Sequence, residues 1–137
     1  MIRSSFFRSR RGNAILEAAM VLPILTSIAF GTIEYGDFFF VKHTLEGAAR
    51  EGVRAAIVST AVNADVNTAV ANVMTAAGFS SGQYSITLSP TNVSGVAAGS
   101  NITITVSCTW SAVGIRPMSL ISASKQVTGT AVMRRES

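Results

Sequence analysis

Asn13-Ala-Ile-Leu-Glu-Ala-Ala-Met-Val-Leu-Pro-Ile-Leu-Thr-Ser-Ile-Ala-Phe-Gly-Thr-Ile33 decides the architecture. Only Glu17 is charged in this run. About 21 residues at 1.5 Å each span about 31 Å as a helix, enough to cross a hydrocarbon core. Upstream, Arg3, Arg8, Arg10 and Arg11 carry no acid among them. The positive-inside rule therefore places that tail in the cytoplasm and everything after Val41 outside. Tyr35, Phe38, Phe39 and Phe40 follow the run and suit a membrane–water boundary. A cleaved secretory signal competes with this reading. It requires a shorter apolar region and a small-x-small site just beyond it, where Phe30-Gly-Thr-Ile-Glu-Tyr35 stands instead.

Helical spacing continues past the boundary. Val41, Leu45, Ala48, Ala49, Gly52 and Ala56 recur at intervals of three and four, and Lys42, Glu46, Arg50 and Arg54 take a neighbouring face. Glu46 precedes Arg50 by four residues, the favourable order for a helical ion pair. Gly47 and Gly52 each cost the helix about 1 kcal/mol relative to alanine. Ala48, Gly52 and Ala56 form a smooth strip, so close approach of a sheet is the expected compensation; a helix end near Gly52 is the other possibility. A second helix is predicted from Asn63 to Ala77, capped by Asn63 or Ser59 and terminated at Gly78.

From Gln83 the period changes to two. Tyr84, Ile86 and Leu88 alternate with hydroxyl residues up to Pro90. After a loop from Thr91 to Ser100, Ile102, Ile104, Val106, Cys108 and Trp110 alternate with Thr103, Thr105, Ser107, Thr109 and Ser111: one apolar face, one hydroxyl face. Gly114 to Ile121 reads as a loop that tucks apolar side chains back, and a last strand runs from about Lys125 to Met133. The fold class is α+β. A long transmembrane helix extends into a small head with a second helix and a three-stranded, or four-stranded, antiparallel sheet. The predicted divisions are a basic leader at 1–12, a span and stalk at 13–58 and an extracytoplasmic head at 59–137.

Composition narrows the function. The 137 residues are 48% hydrophobic and 13% charged, which excludes a disordered polyelectrolyte. The single cysteine excludes a disulfide scaffold. The net charge of +4 lies in the leader; beyond it, bases and acids balance, and no basic stripe is available for nucleic acid. Enzyme chemistry lacks materials. The single histidine, His43, and Cys108 would have to meet to make a nucleophile pair, whereas Cys108 sits on an apolar strand face. No ligand cluster has metal spacing and no phosphate loop appears, so no cofactor is expected. Asn92-Val-Ser94 and Asn101-Ile-Thr103 match the short glycosylation pattern only weakly.

Glu17 is the informative residue, because an acid inside a span is a functional candidate by default. A cut after Gly12 would make Asn13 a new cationic α-amine about one helical turn away. Glu17 can then meet the amine of a neighbouring helix, each charge lowering the other's desolvation cost. Alternatively it snorkels to headgroups from about 6 Å depth.

This arrangement resembles a type IV-like prepilin: basic leader, Gly12 at the cut, Glu17 five residues on, then an apolar helix. The longer series Arg11-Gly-Asn-Ala-Ile-Leu-Glu17, Val21-Leu-Pro-Ile-Leu25, Phe30-Gly-Thr-Ile-Glu-Tyr-Gly36 and Ala48-Ala-Arg-Glu-Gly-Val-Arg54 resembles the TadE-like family of tight-adherence pilus assembly proteins. So do Ile102–Val106 and Val127–Arg135. Pilins of this system often carry Tyr directly after the acid, where Ala18 stands here. The resemblance implies a non-enzymatic minor pilin or pseudopilin in the bacterial inner membrane, with a pilin-like head, a prepilin peptidase cutting between Gly12 and Asn13, and other pilins of the same pilus as partners. The alternative is a bitopic membrane protein whose outer head binds a ligand or envelope partner without entering a pilus.

Overall fold

A computed structural model describes residues 10–136. In chain order the elements are helix α1 (Arg10–Ala56), helix α2 (Asn63–Ala76), strand β1 (Ser85–Ser89), strand β2 (Asn101–Thr109), short helix α3 (Trp110–Val113) and strand β3 (Gln126–Arg134). The arrangement is α+β, with the sheet in the order β1-β2-β3 and both pairings antiparallel. The sheet has three strands; the fourth that the sequence left open does not form among the described residues.

Helix α1 is 47 residues long and contains Pro23. Proline removes one backbone donor, and membrane helices tolerate this where other groups adjust. Polar side chains in the same stretch turn inward on their own helix. Thr26, Ser27 and Thr32 donate to the carbonyls of Leu22, Pro23 and Ile28 at 2.7, 2.8 and 2.8 Å. Each hydroxyl is satisfied locally and requires no water.

The helix does not stop at Gly52; it runs on to Ala56. The reason is tertiary. A Cβ built on Gly52 would lie 2.7 Å from Val70 Cγ2 on α2 and 3.5 Å from Ile104 on β2. The glycine lets α2 and β2 approach α1 together, and that burial offsets its poor helix propensity.

Helix α2 ends in a Schellman arrangement. Gly78 adopts φ +89, its N–H donates to Thr75 O at 2.9 Å, and Phe79 N–H donates to Met74 O at 2.9 Å. At its start neither expected cap operates. Val62 occupies the N-cap position, and Asp65, three residues on, accepts the Val62 N–H at 3.0 Å. Asn63 is used elsewhere: its side-chain amide donates to Thr91 O at 2.8 Å and its Oδ1 accepts Val93 N–H at 2.9 Å. The first turn of α2 thus pins the loop after β1.

Register places the strands by their apolar faces. Ile86 pairs with Val106 and Leu88 with Ile104, while Val106 pairs with Gly129 and Cys108 with Val127. Ile102, Ile104, Val106 and Cys108 are buried in the core, and α1 packs across β2 and β3. The expected β2 alternation, drawn to Ser111, stops two residues early at Thr109. Trp110 opens α3 yet remains fully buried, because the chain folds over the indole at Gly114, where an added Cβ would lie 2.3 Å from the ring. Strand β3 begins and ends one residue later than predicted. Its Gly129 marks the tightest contact with the stalk: a Cβ there would lie 2.3 Å from both Leu45 C and Glu46 N, so two backbones touch. Lys42 Nζ donates to the neighbouring Thr128 carbonyl.

Candidate functional site at the membrane boundary

Along α1, surroundings change within a few turns. Ile15, Leu16, Met20, Leu22, Ile24 and Leu25 are all more than half exposed. In contrast Leu45, Ala48, Ala49, Val53 and Ala56 are fully buried. The described residues hold one helix long and apolar enough to cross a membrane, and its apolar window is entirely outside the protein core. Such a surface is costly in water at about 25 cal/mol per Å² and is matched by acyl chains.

The junction between bare and covered helix carries the most built arrangement in the protein. Glu34 is fully buried. Its Oε1 accepts the N–H of Ile121 at 2.8 Å and its Oε2 that of Met118 at 3.2 Å. One turn on, Asp37 Oδ2 accepts the N–H of Ile115 at 2.7 Å. Two carboxylates spaced i, i+3 share a helix face, and together they hold three backbone donors of the loop from Gly114 to Lys125. A carboxylate bonded to backbone N–H groups can be buried at tolerable cost. Along the sequence Glu34 is only an acid just past the apolar run; the loop donors that hold it lie about eighty residues away.

A second tie was likewise missed. Arg135 is buried, and its guanidinium donates to the carbonyl of Val93 and, at 2.7 Å, to that of Ser59. Its backbone N–H donates to Ser100 O at 2.8 Å, and Glu136 N–H to Ile57 O at 3.1 Å. The end of β3 therefore closes over the end of α1.

The residues singled out from sequence fall as follows. Glu17 is exposed on the bare part of α1. Of the leader, residues 1–9 lie outside the described residues; Arg10 to Gly12 belong to the backbone of α1. Ala48, Gly52 and Ala56 are buried at the junction with α2 and the sheet. Glu46 is shared: Lys42 Nζ lies at 3.2 Å and Arg50 at 3.9 Å. These are half-exposed pairs, worth a fraction of a kcal/mol. In Arg50-Glu51-Gly52, Arg50 and Glu51 point outward and only the glycine enters the core.

His43 is largely exposed and stacks against Phe39 with ring centroids 6.4 Å apart. Cys108 is buried, and desolvation pushes its thiol pKa up, the wrong direction for a nucleophile. A shallow depression of about 260 Å³ is lined by Gln83, Tyr84, Ser85, Ser107, Thr109 and Gln126, among others. That lining offers hydroxyls, amides and the Cys108 thiol, without an acid, an amine or an imidazole. No group of three or more His, Cys, Asp or Glu able to hold a metal occurs among the described residues. Asn92 is engaged in its own turn, its Oδ1 accepting the N–H of Ser94 at 3.0 Å.

Residues 12–54 match the TadE-like protein family. The resemblance read from sequence holds over that segment, which covers the bare span, the Glu34–Asp37 junction and the glycine-containing stalk. The matched segment includes the apolar stretch of α1 that is long enough to cross a membrane. Neither a curated protein nor a solved structure matches the chain.

Proposed function

We propose that the chain is a minor pilin or pseudopilin of a tight-adherence pilus. In this reading residues 1–12 are a basic leader held in the cytoplasm, 13–58 span the inner membrane and form the stalk, and 59–137 form an extracytoplasmic head. A prepilin peptidase cuts between Gly12 and Asn13, where glycine lets the protease approach the backbone. Glu17 then pairs with the α-amine of an adjacent subunit and holds neighbouring helices in register.

The observation that carries the reading is the division of one helix. The TadE-like segment contains both a bare apolar half and a half that is the spine of a folded head. A subunit extracted from the bilayer into a fibre needs that construction: a rigid link between head and span, and an apolar surface that exchanges lipid for other subunits. The role is structural, without a catalytic residue.

Sequencing the mature N-terminus tests processing. Asn13 is the expected start in cells holding the peptidase, and Gly12→Val is expected to remain uncut; co-migration of wild type and Gly12→Val removes this support. Assembly is tested separately at Glu17. An acid in mid-membrane costs up to about 3 kcal/mol, so Glu17→Leu is expected to insert at least as well as wild type. It is nevertheless expected to lose pili at matched membrane levels, with Glu17→Asp partly active. Normal piliation by Glu17→Leu would sink the pairing and leave the anchor. Full-length, uncut protein that never enters pili would instead favour a bitopic protein with a binding head.

A further inference from the structure

The stretch from Gly114 to Ile121 is expected to tuck its apolar side chains back, and Ile121 does pack against the core. Ile115, Met118 and Leu120 do not: they are 59%, 38% and 51% exposed. Their backbone is fixed: the N–H groups of Ile115, Met118 and Ile121 are held by Asp37 and Glu34. Ser119 adopts φ +54, a left-handed conformation that non-glycine residues reach only at a cost. That turn lets the N–H groups of Met118 and Ile121 reach the two oxygens of one carboxylate. Leu120 Cδ1 lies 3.5 Å from where a Cβ on Gly31 would sit, so the loop rests against the last turns of the bare span. At the same level Tyr35 and Phe39 are also about half exposed. The loop contains Arg116 and Lys125 and no acid.

We propose that this loop is a second membrane contact, a foot of the head that enters the headgroup–acyl boundary of an anionic bilayer beside the span. The occupant follows from continuity: the exposed apolar loop joins the exposed apolar surface of α1 at the depth where the hydrocarbon ends. The chemistry agrees, with apolar side chains entering about 5–10 Å and cations meeting lipid phosphates. Asp37 and Glu34, the acids at this depth, are turned to the loop backbone and not to the lipid. With two points of attachment, span and foot, the head has a fixed tilt and rotation on the bilayer, which a single helix does not impose. This inference rests on residues 13–33 being a bilayer span.

The test uses the full chain in a Cys108→Ala background, reconstituted in phosphatidylcholine vesicles containing phosphatidylglycerol. An environment-sensitive fluorophore is attached in turn at Met118→Cys, at Leu25→Cys within the span and at Val58→Cys beyond the far end of α1. If that background loses its circular dichroism, native Cys108 is retained, since its burial leaves it slow to label. Lipids carrying a spin label near the headgroup are expected to remove most of the Met118 signal, deeper-labelled lipids most of the Leu25 signal, and neither the Val58 signal. Aqueous iodide is expected to quench only the Val58 probe. A Met118 probe quenched by iodide overturns the foot while a lipid-quenched Leu25 probe leaves the span intact. A Met118 probe reached by neither quencher means that protein covers the loop, and it too overturns the proposal. A Leu25 probe that lipid does not reach overturns the span reading itself.

Discussion

Residues 13–33 and 41–56 are two stretches of the same uninterrupted helix, yet their surroundings are opposite. The first is apolar apart from Glu17 and a few small polar residues, so its composition calls for an apolar solvent, and the contact the head makes with it is that of Leu120 at Gly31. The second alternates a small-residue strip with charged positions, and α2 and the sheet close on that strip. Between them, Glu34 and Asp37 receive the loop backbone. The contrast teaches that α1 is held by two different solvents: lipid is expected on one stretch, protein is present on the other. Substitutions should therefore affect head stability according to which stretch they touch and how closely a neighbour approaches.

The largest loss is expected at Gly129, where an added Cβ meets backbone that cannot rotate away. Gly129→Val should cost more than about 3 kcal/mol, at the upper end of overpacking effects. Urea unfolding of the detergent-solubilised full chain, followed by the fluorescence of Trp110, measures it. A near-wild-type midpoint would mean that β3 does not lie on the stalk as described.

Gly52→Leu comes next, at about 1–3 kcal/mol in the same titration, because its closest neighbour is the end of a side chain, Val70 Cγ2, that can shift. The effect should be confined to the head and leave membrane insertion unchanged. Equal damage to insertion would show that the two stretches of α1 are not independent.

A smaller change is expected from pH at Cys108. Its folded pKa is raised above the ordinary 9.0 by desolvation. The thiol's contribution is therefore complete below the unfolded pKa and is lost as pH rises above it. Head stability should decline from about pH 9 upward more steeply in wild type than in Cys108→Ala. The native thiol should also react slowly with maleimide until urea unfolds the head; rapid labelling of native protein would place the β2 face outward.

The smallest effect has the opposite sign. Among the described residues, and setting aside its own turn of helix, no atom lies within 4 Å of a Cβ placed on Gly47. Gly47→Ala should raise stability by up to about 1 kcal/mol through helix propensity alone. Set against Gly52, only five residues away, it separates a glycine needed for contact from one that is merely tolerated. Destabilisation by Gly47→Ala would reveal a neighbour on that face.

Particular residues show where reading the chain succeeded. The apolar run, the period of 3.6 beyond it and the alternation in β2 are local patterns, so the bare span, the stalk face and the buried strand face were each legible. The Gly78 terminator was equally legible, since a left-handed residue after an apolar helix is a local requirement. The start of α2 was not. Asn63 is a good cap by type, but it serves the loop at Thr91 and Val93, and Asp65 does the work at Val62.

By itself, then, the chain determined what depends on neighbours along it: which stretches are helix or strand, which face of each is apolar, where a bilayer fits, and the TadE-like signature. Tertiary structure decided what depends on partners far away in sequence. Gly129 reads as one more small residue in a strand until Leu45 and Glu46 are seen against it. Arg135 reads as one of the bases that balance the acids until the carbonyls of Ser59 and Val93 converge on it. Glu34 reads as a boundary acid until a loop brings it two backbone donors. The physical reason is the same in each case. A residue's propensity and period are fixed by its own backbone, whereas the worth of a close approach or a buried charge is fixed by what the fold places within about 3 Å of it.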